Sequence, residues 1–151
     1  MRKSLVLLSC MFFLLSTALF AQNTNIGSAK CKMCHTGPAK GDQFKKWSES
    51  KHSKANTAVG VAGKAECEKC HAPVAEFKAE GVTCEACHGA GSAYKSPTIM
   101  KDQKQSVANG LILQTEASCK KCHDASKAPS GHKAITFDYA TASAKVSHKK
   151  P

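Results

Sequence analysis

Aromatic residues are scarce in this sequence, since Phe, Trp and Tyr together make up 6% of the chain. A chain of this length buries only a limited share of its surface when it folds. With so few large rings, its own side chains offer little apolar area for a core. A folded state therefore needs another source of apolar interior. The aromatic residues beyond residue 21 are Phe44, Trp47, Phe77, Tyr94, Phe137 and Tyr139.

Sustained alternation of apolar and polar residues is also missing, although residues 110–114 are compatible with a short extended segment. Without that alternation and without hairpin turns, the pattern excludes a fold dominated by β-sheet. Helical spacing instead places Phe44, Trp47 and His52 near one face. The sequence predicts a mainly α fold of short helices and long loops, with little or no sheet. The predicted helices cover residues 41–55, 96–109, 115–123 and 136–146.

Acidic residues are few, with 11 Asp and Glu against 22 Lys and Arg. Such an excess of positive charge can indicate a nucleic acid or an acidic membrane surface as partner. However, the lysines are scattered along the chain, and aromatic residues able to stack on bases do not alternate with them. The charge pattern therefore argues against nucleic-acid binding and leaves acidic protein surfaces as candidate partners.

A single long apolar run is present, over residues 5–20, and it follows the basic residues Arg2 and Lys3. A basic start, an apolar stretch and a small residue, Ala21, predict a cleaved signal peptide over residues 1–21. A lipoprotein site at Cys10 fits less well, because the apolar run continues beyond it. A membrane anchor would need about 20 apolar residues. The sequence thus predicts a periplasmic or extracellular protein without a transmembrane anchor, in which residues 22–151 form one domain.

Of the nine cysteines, the eight beyond residue 21 form four C-x-x-C pairs, and a histidine follows each pair directly. Exported chains with this many cysteines are usually built on disulfides, and paired C-x-x-C units also bind zinc. Neither explains a histidine after every pair, whereas C-x-x-C-H is the attachment signature of c-type haem. The pairs are Cys31 and Cys34, Cys67 and Cys70, Cys84 and Cys87, and Cys119 and Cys122, followed by His35, His71, His88 and His123.

Four such motifs predict four covalent c-type haems, each with the motif histidine as the proximal ligand of its iron. The porphyrins would supply the apolar interior that the side chains lack, so the fold is predicted to wrap around them. Their propionates would offset much of the positive charge. The haem-free chain is then expected to be largely unfolded.

Three of the seven histidines lie outside the motifs: His52, His132 and His148. They are the predicted distal ligands, because imidazole is a favoured sixth ligand of haem iron. Four irons and three spare imidazoles leave one iron short of a histidine. Met100 can fill that position, the iron can be five-coordinate and open to a small molecule, or another subunit can donate a histidine in a dimer or filament.

Three further stretches are more specific than the haem motifs alone: "FKKWSESKH" before the second motif, "GVTCEACHGAGSAY" at the third, and "VSHKKP" at the end. With the haem motifs, they make the chain resemble the tetrahaem cytochromes of the cytochrome c-554 type over most of residues 27–151. The resemblance implies a mainly helical protein with stacked haem pairs, mostly bis-histidine irons and, in the type member, one five-coordinate iron. It also implies that His52 is a distal ligand. Tyr94 stands where some relatives have a histidine.

These features favour an electron carrier between redox proteins over an enzyme. The alternatives are a small reductase acting on nitric oxide, nitrite or hydroxylamine at one open iron, and a subunit of an extracellular cytochrome filament. A reductase needs groups that donate protons to its substrate. Beyond Tyr94 and Lys95 the sequence offers no constellation of acids and bases, so no catalytic residue is predicted.

Overall fold

A computed structural model describes residues 23–57 and 60–148 of the chain. Within those ranges the elements are helices and loops, and no β-strand occurs. The predicted mainly α fold is therefore confirmed. The helices are α1 (Ser28–Lys32), α2 (Gln43–Glu49), α3 (Ala65–His71), α4 (Cys84–His88), α5 (Pro97–Met100), α6 (Gln103–Ala108), α7 (Glu116–Cys119) and α8 (Tyr139–Val146). Short 3₁₀ turns cover Pro38–Lys40, Ala55–Thr57, Ala75–Glu80 and Ala125–Lys127.

Helix α2 is shorter than the helix predicted over residues 41–55. It ends at Glu49 because Ser50 is extended and both its backbone N–H and its hydroxyl donate to the carbonyl of Trp47. Serine side chains compete with the helix in this way. His52 therefore lies in the loop after α2 and not on the helix itself.

Capping residues explain the other differences from the predicted helices. The helix predicted over residues 96–109 is divided into α5 and α6, because the Asp102 side chain accepts from the first N–H groups of α6. Thr115 caps α7 as predicted, but that helix ends at Cys119. Asp138 caps α8, which begins three residues later than predicted. Residues 110–114 contain no strand. Polar side chains that accept from free N–H groups thus set the helix limits.

The segment before α1 is bound to the region around α4. Thr24 and Ser92 exchange hydrogen bonds, with the Thr24 N–H donating to the Ser92 hydroxyl at 2.8 Å. The backbone N–H groups of Ile26 and Gly27 donate to the carboxylate of Glu85. Helix α1 then packs against both α2 and α4. The start of the described chain is thereby joined to the helix that carries the third motif.

The hydrophobic core of the described residues is small. It consists of Val61, Ala72, Val74 and Tyr94, whereas the largest fully buried side chains are Thr83, Ser28 and Ser106. So little buried apolar surface is marginal for a stable domain. No helix in the described part of the chain has the length and apolar character needed to cross a membrane. The predicted signal peptide, residues 1–21, lies outside the described residues.

Candidate haem sites

The four C-x-x-C-H motifs lie at or near short helices. Helix α3 carries the second motif and α4 the third, whereas the first and fourth motifs begin in α1 and α7 and continue into turns. A single turn of helix places two thiols on one side with the histidine next to the second thiol. In the described ranges all eight motif cysteines are free thiols.

The histidines form three pairs, each joining one motif histidine to one of the spare histidines. The ring centroids of His52 and His123 lie 5.9 Å apart, and those of His88 and His148 also 5.9 Å apart. His71 and His132 form the third pair, with centroids 6.2 Å apart. Each spare histidine therefore has a different motif histidine as its neighbour.

These distances fit two imidazoles on opposite sides of one metal ion. Bonds from a metal to imidazole nitrogen are about 2 Å long, so two ring centres facing each other across the metal are roughly 6 Å apart. The three measured distances cluster near that value. The residues present thus fit a haem iron held between each pair.

Hydrogen bonds leave the Nε2 atom of several histidines free. The Nδ1 atom of His88 lies 3.1 Å from the carbonyl oxygen of Ile112, and that of His148 lies 2.8 Å from the carbonyl oxygen of Val146. A carbonyl only accepts, so Nδ1 carries the proton in both rings. The unprotonated Nε2 is then the nitrogen able to bind a metal. His132 makes the same kind of contact with its neighbour's carbonyl.

Burial keeps several of these rings neutral. Desolvation lowers the pKa of His52, and the neighbouring ring of His123 adds to the decrease. The pKa of His88 is also lowered by burial, with further contributions from His148 and His35. Burial acts in the same direction on the pKa of His123, and His71 adds to it. A neutral imidazole is the form that binds iron, because protonation removes its lone pair.

The loop that carries His52 is held in place by the segment before α4. Val82 donates its N–H to the His52 carbonyl at 2.9 Å, and the Trp47 indole N–H donates to the Val82 carbonyl at 2.8 Å. A Cβ atom on Gly81 would lie 2.5 Å from the His52 carbonyl oxygen. The loop therefore packs so closely that only glycine fits at residue 81.

Apolar groups surround the histidine pairs. The ring of Phe137 stacks on His123 with centroids 5.0 Å apart. Beside the pair of His88 and His148, the side chains of Ile112, Leu113 and Val146 are exposed. A cavity lined in part by Val61, Cys67 and residues 129–133 lies against His71. Exposed apolar surface and a cavity at these positions suit the face of a porphyrin.

Two residues that contact motif histidines, Gln43 and Phe137, could not be predicted from the sequence. The side-chain oxygen of Gln43 contacts Nδ1 of His35, which leaves Nε2 of that ring free. Phe137 stacks on His123, a contact that the sequence pattern does not indicate. Both contacts join residues eight or more positions apart, and local pattern does not predict them.

His35 is the motif histidine that has no second histidine ring beside it within the described residues. Met100, a predicted distal candidate, lies at the end of α5, where its sulfur accepts from the Ser106 hydroxyl at 3.9 Å. Ser106 belongs to α6, so this contact lies between α5 and α6. The role of Met100 as a ligand stays a prediction.

Tyr94 supports the backbone after the third motif. Its hydroxyl donates to the carbonyl oxygens of His88 and Gly89, at 3.1 and 2.7 Å. Tyr94 is 8% exposed, and burial raises its pKa. The phenol thus stays protonated and acts as a hydrogen-bond donor within the protein.

Comparison with known proteins links the motifs to one family. Residues 18–89, which include the first three motifs, match the family model described as cytochrome c7 and related cytochrome c. Curated proteins and solved structures give no significant match. Proteins of the matched family carry covalently bound c-type haem and transfer electrons. Together with the repeated C-x-x-C-H motifs, the match supports a multihaem c-type cytochrome.

Proposed function

We propose that the chain is an exported tetrahaem c-type cytochrome, which carries electrons between redox partners in the periplasm or at the cell surface. The observation that carries this proposal is the pairing of all three spare histidines with three different motif histidines at nearly equal ring distances. Irons with two imidazole ligands have no open position, so they exchange electrons and do not bind substrates. In this proposal residues 1–21 are removed on export and residues 22–151 form the haem domain.

The proposed ligand sets follow from the pairs. The haem at the second motif takes His71 and His132, the haem at the third takes His88 and His148, and the haem at the fourth takes His123 and His52. Two thioether bonds per motif attach the porphyrins. When bound, each haem supplies a site that gains and loses one electron. The protein's part is to orient the imidazoles and to exclude water from the iron.

The first-motif haem, with His35 as proximal ligand, is the one we propose to lack a distal histidine. Among the described residues His35 has no spare histidine ring paired with it, while every other motif histidine has one. Its sixth position is filled by Met100, by a histidine from a second copy of the chain, or by a small molecule. Low-temperature electron paramagnetic resonance separates the outcomes, because an open ferric haem is high-spin and responds to nitric oxide.

Contacts between motifs suggest a route for the electrons. A hydrogen bond between the thiols of Cys31 and Cys84 raises the pKa of Cys31 and lowers that of Cys84 to about 7. Burial and then the neighbouring thiol of Cys119 raise the pKa of Cys87. Burial and a hydrogen bond with Cys70 raise the pKa of Cys122 to about 12. The motifs are thus neighbours in the order first, third, fourth, second, which we infer to be the electron route.

Acidic surfaces on redox proteins are the proposed docking partners, because the chain carries 22 Lys and Arg against 11 Asp and Glu. Complementary charge speeds the encounter between redox proteins. We expect the association rate with an acidic partner to fall as ionic strength rises. A rate independent of salt would contradict docking by charge.

Mass spectrometry and electron paramagnetic resonance of the haem-loaded protein test the proposed ligand sets. We expect the mass of four attached haems and low-spin signals from three bis-histidine irons, while the signal of the first-motif haem depends on its sixth ligand. His52→Ala should add a high-spin signal from the fourth-motif haem, whereas the control Lys51→Ala, at the neighbouring exposed residue, should leave the spectrum unchanged. Fewer than four haems, or no new signal in His52→Ala, would contradict the proposal.

A further inference from the structure

Glu85 is a buried acidic residue inside the third motif, between Cys84 and Cys87. It is 4% exposed, although glutamate is almost never fully buried without a partner. Neither haem attachment nor iron ligation uses its side chain. Its burial therefore needs an explanation of its own.

Backbone N–H groups surround the Glu85 carboxylate. One oxygen accepts from Gly91 at 2.7 Å and from Ile26 at 2.9 Å; the other accepts from Gly27 at 2.8 Å and from Ile26 at 2.9 Å. All these donors are N–H groups, so neither oxygen has an acceptor to which an acid proton could donate. Charge-assisted hydrogen bonds of this kind hold the carboxylate in one position. The site therefore holds a fixed negative charge.

No cation is paired with this charge in the part of the chain that the structure describes. The salt bridges there join Lys45 to Glu49, Lys78 to Glu68, and Lys120 to Glu116. The comparison with Glu68 is direct, because Glu68 occupies the same position in the second motif as Glu85 does in the third. Glu68 forms a salt bridge with Lys78 at 2.6 Å, whereas none of the salt bridges among the described residues includes Glu85.

The charge of Glu85 acts on two haem motifs. Glu85 directly follows Cys84, the first attachment residue of the third motif. It also lies close to the first motif, because Gly27, whose N–H donates to Glu85 at 2.8 Å, directly precedes α1, the helix that contains Cys31. Half-buried Glu80, which accepts from the Ser28 N–H at 3.0 Å, lies on the same side and has the same sign. Burial lowers the effective dielectric, so a charge here acts more strongly than on the surface.

We propose that the carboxylate of Glu85 lowers the reduction potentials of the haems attached at the third and first motifs. Reduction adds an electron to the iron, and a nearby fixed negative charge makes that addition less favourable. The second-motif haem escapes this effect because Lys78 neutralises Glu68. Glu85 thus gives the lowest potentials to the end of the electron route formed by the first and third motifs. This inference rests on the proposed haem attachment at these motifs.

A redox titration of the haem-loaded protein tests the role of Glu85. Nuclear magnetic resonance is used to measure the potential of each haem separately. Glu85→Gln removes the charge with little change of shape, and Glu68→Gln is its matched control at the same motif position. We expect Glu85→Gln to raise the potentials of the third- and first-motif haems while leaving the second near its original value. Glu68→Gln should produce a smaller shift, confined to the second-motif haem. Glu85→Asp, which retains the charge, should leave the potentials close to those of the unmodified protein.

Haem content is measured first by mass spectrometry in every variant. If the unmodified protein lacks covalent haem, the proposed function fails. If the haems are attached and Glu85→Gln leaves the third-motif potential unchanged, the role of Glu85 fails while the proposed function stands. If Glu85→Gln does not fold, the inference is tested on the unmodified protein. Its second- and third-motif haems have the same proposed ligands, so their potentials can be compared. A third-motif potential above that of the second would then overturn the inference.

Discussion

The histidines illustrate how individual residues act in this protein. Each spare histidine lies at nearly the same ring distance from a motif histidine, yet the paired residues are 60 to 71 positions apart in the chain: His71 with His132, His88 with His148, and His52 with His123. Carbonyl groups hold Nδ1 of His88, His132 and His148, so Nε2 is the ring nitrogen left to bind a metal. Three pairs with one geometry are better explained by a shared ligand role than by packing alone.

Tyr94 is predicted to have a structural role and no role as a ligand. Tyr94→Phe removes the hydroxyl that donates to the His88 and Gly89 carbonyls. We expect the free energy of unfolding to fall by about 1 kcal/mol, the usual value of one buried hydrogen bond. Denaturant titration of the loaded protein measures this loss.

The haem spectra of Tyr94→Phe are expected to be unchanged, because the phenol contacts carbonyl groups and not a metal position. Tyr139→Phe is the control, because it removes a phenol hydroxyl from the first residue of α8 instead. A change in the number of high-spin irons in Tyr94→Phe would refute the structural assignment and place Tyr94 near an iron.

The identity of the candidate ligands was predictable from the sequence, whereas their pairing was not. C-x-x-C-H is a local signature, because two thiols and an imidazole must meet one porphyrin from adjacent positions. Which spare histidine faces which motif depends on loops that fold back across the molecule. Sequence spacing carries no information on such contacts, so the isolation of His35 appears only in three dimensions.

The short helices position the motifs and the loops between them. The Thr115 cap and Pro97 predicted the starts of α7 and α5, whereas α1, α3 and α4, which lie at haem motifs, were not predicted. Helix ends were less predictable, because Ser50 and Asp102 stop or start helices inside segments that have continuous helical spacing. Local competition for backbone groups decided those positions. As a result His52 is presented from a loop, where it can approach another motif.

Helix α4 is expected to depend on its capping residue. The side chain of Thr83, which is 1% exposed, accepts from the Ala86 N–H at 3.1 Å. Thr83→Ala should reduce the free energy of unfolding by about 1 kcal/mol more than Thr83→Ser, because serine retains the capping oxygen. Both variants lose the same methyl group, so their difference in urea titration isolates the cap. Equal losses would show that the hydroxyl contributes nothing to α4.

The loop of His52 is expected to move when Gly81 acquires a side chain. In Gly81→Ala the new Cβ would lie 2.5 Å from the His52 carbonyl oxygen. We expect a partial loss of low-spin signal from the fourth-motif haem, because the displaced loop carries its proposed distal ligand. Electron paramagnetic resonance of the oxidised protein measures the low-spin fraction.

Gly63→Ala provides the matched control for Gly81→Ala. Gly63 has a φ of +78°, close to the +68° of Gly81, but nothing lies within 4 Å of its added Cβ. Both variants therefore carry backbone strain, and only one displaces the loop. The same loss of low-spin signal in both would attribute the effect to strain and not to His52.

At the scale of the whole molecule, the interior is unusual for a chain of 151 residues. The buried hydrophobic residues in the described ranges are few, and polar side chains such as Thr83 and Ser106 are among the most buried. Several large apolar side chains are instead exposed, with Leu113 at 49% exposure. This arrangement is what the shortage of aromatic residues in the sequence predicts, because the apolar interior has to come from the haems.

Removal of the haems is therefore expected to unfold the chain. The conformational entropy of a domain opposes folding by far more than this small core can offset, so folding and haem attachment should be coupled. Protein produced without the haem-attachment machinery should give little helical circular dichroism, whereas the loaded protein should give the signal of a mainly helical fold. Replacing all eight motif cysteines by serine tests the same point, since it removes the thioether bonds but keeps the rest of the sequence. If the haem-free chain kept its helices and unfolded cooperatively on heating, the side chains alone would be sufficient for the fold.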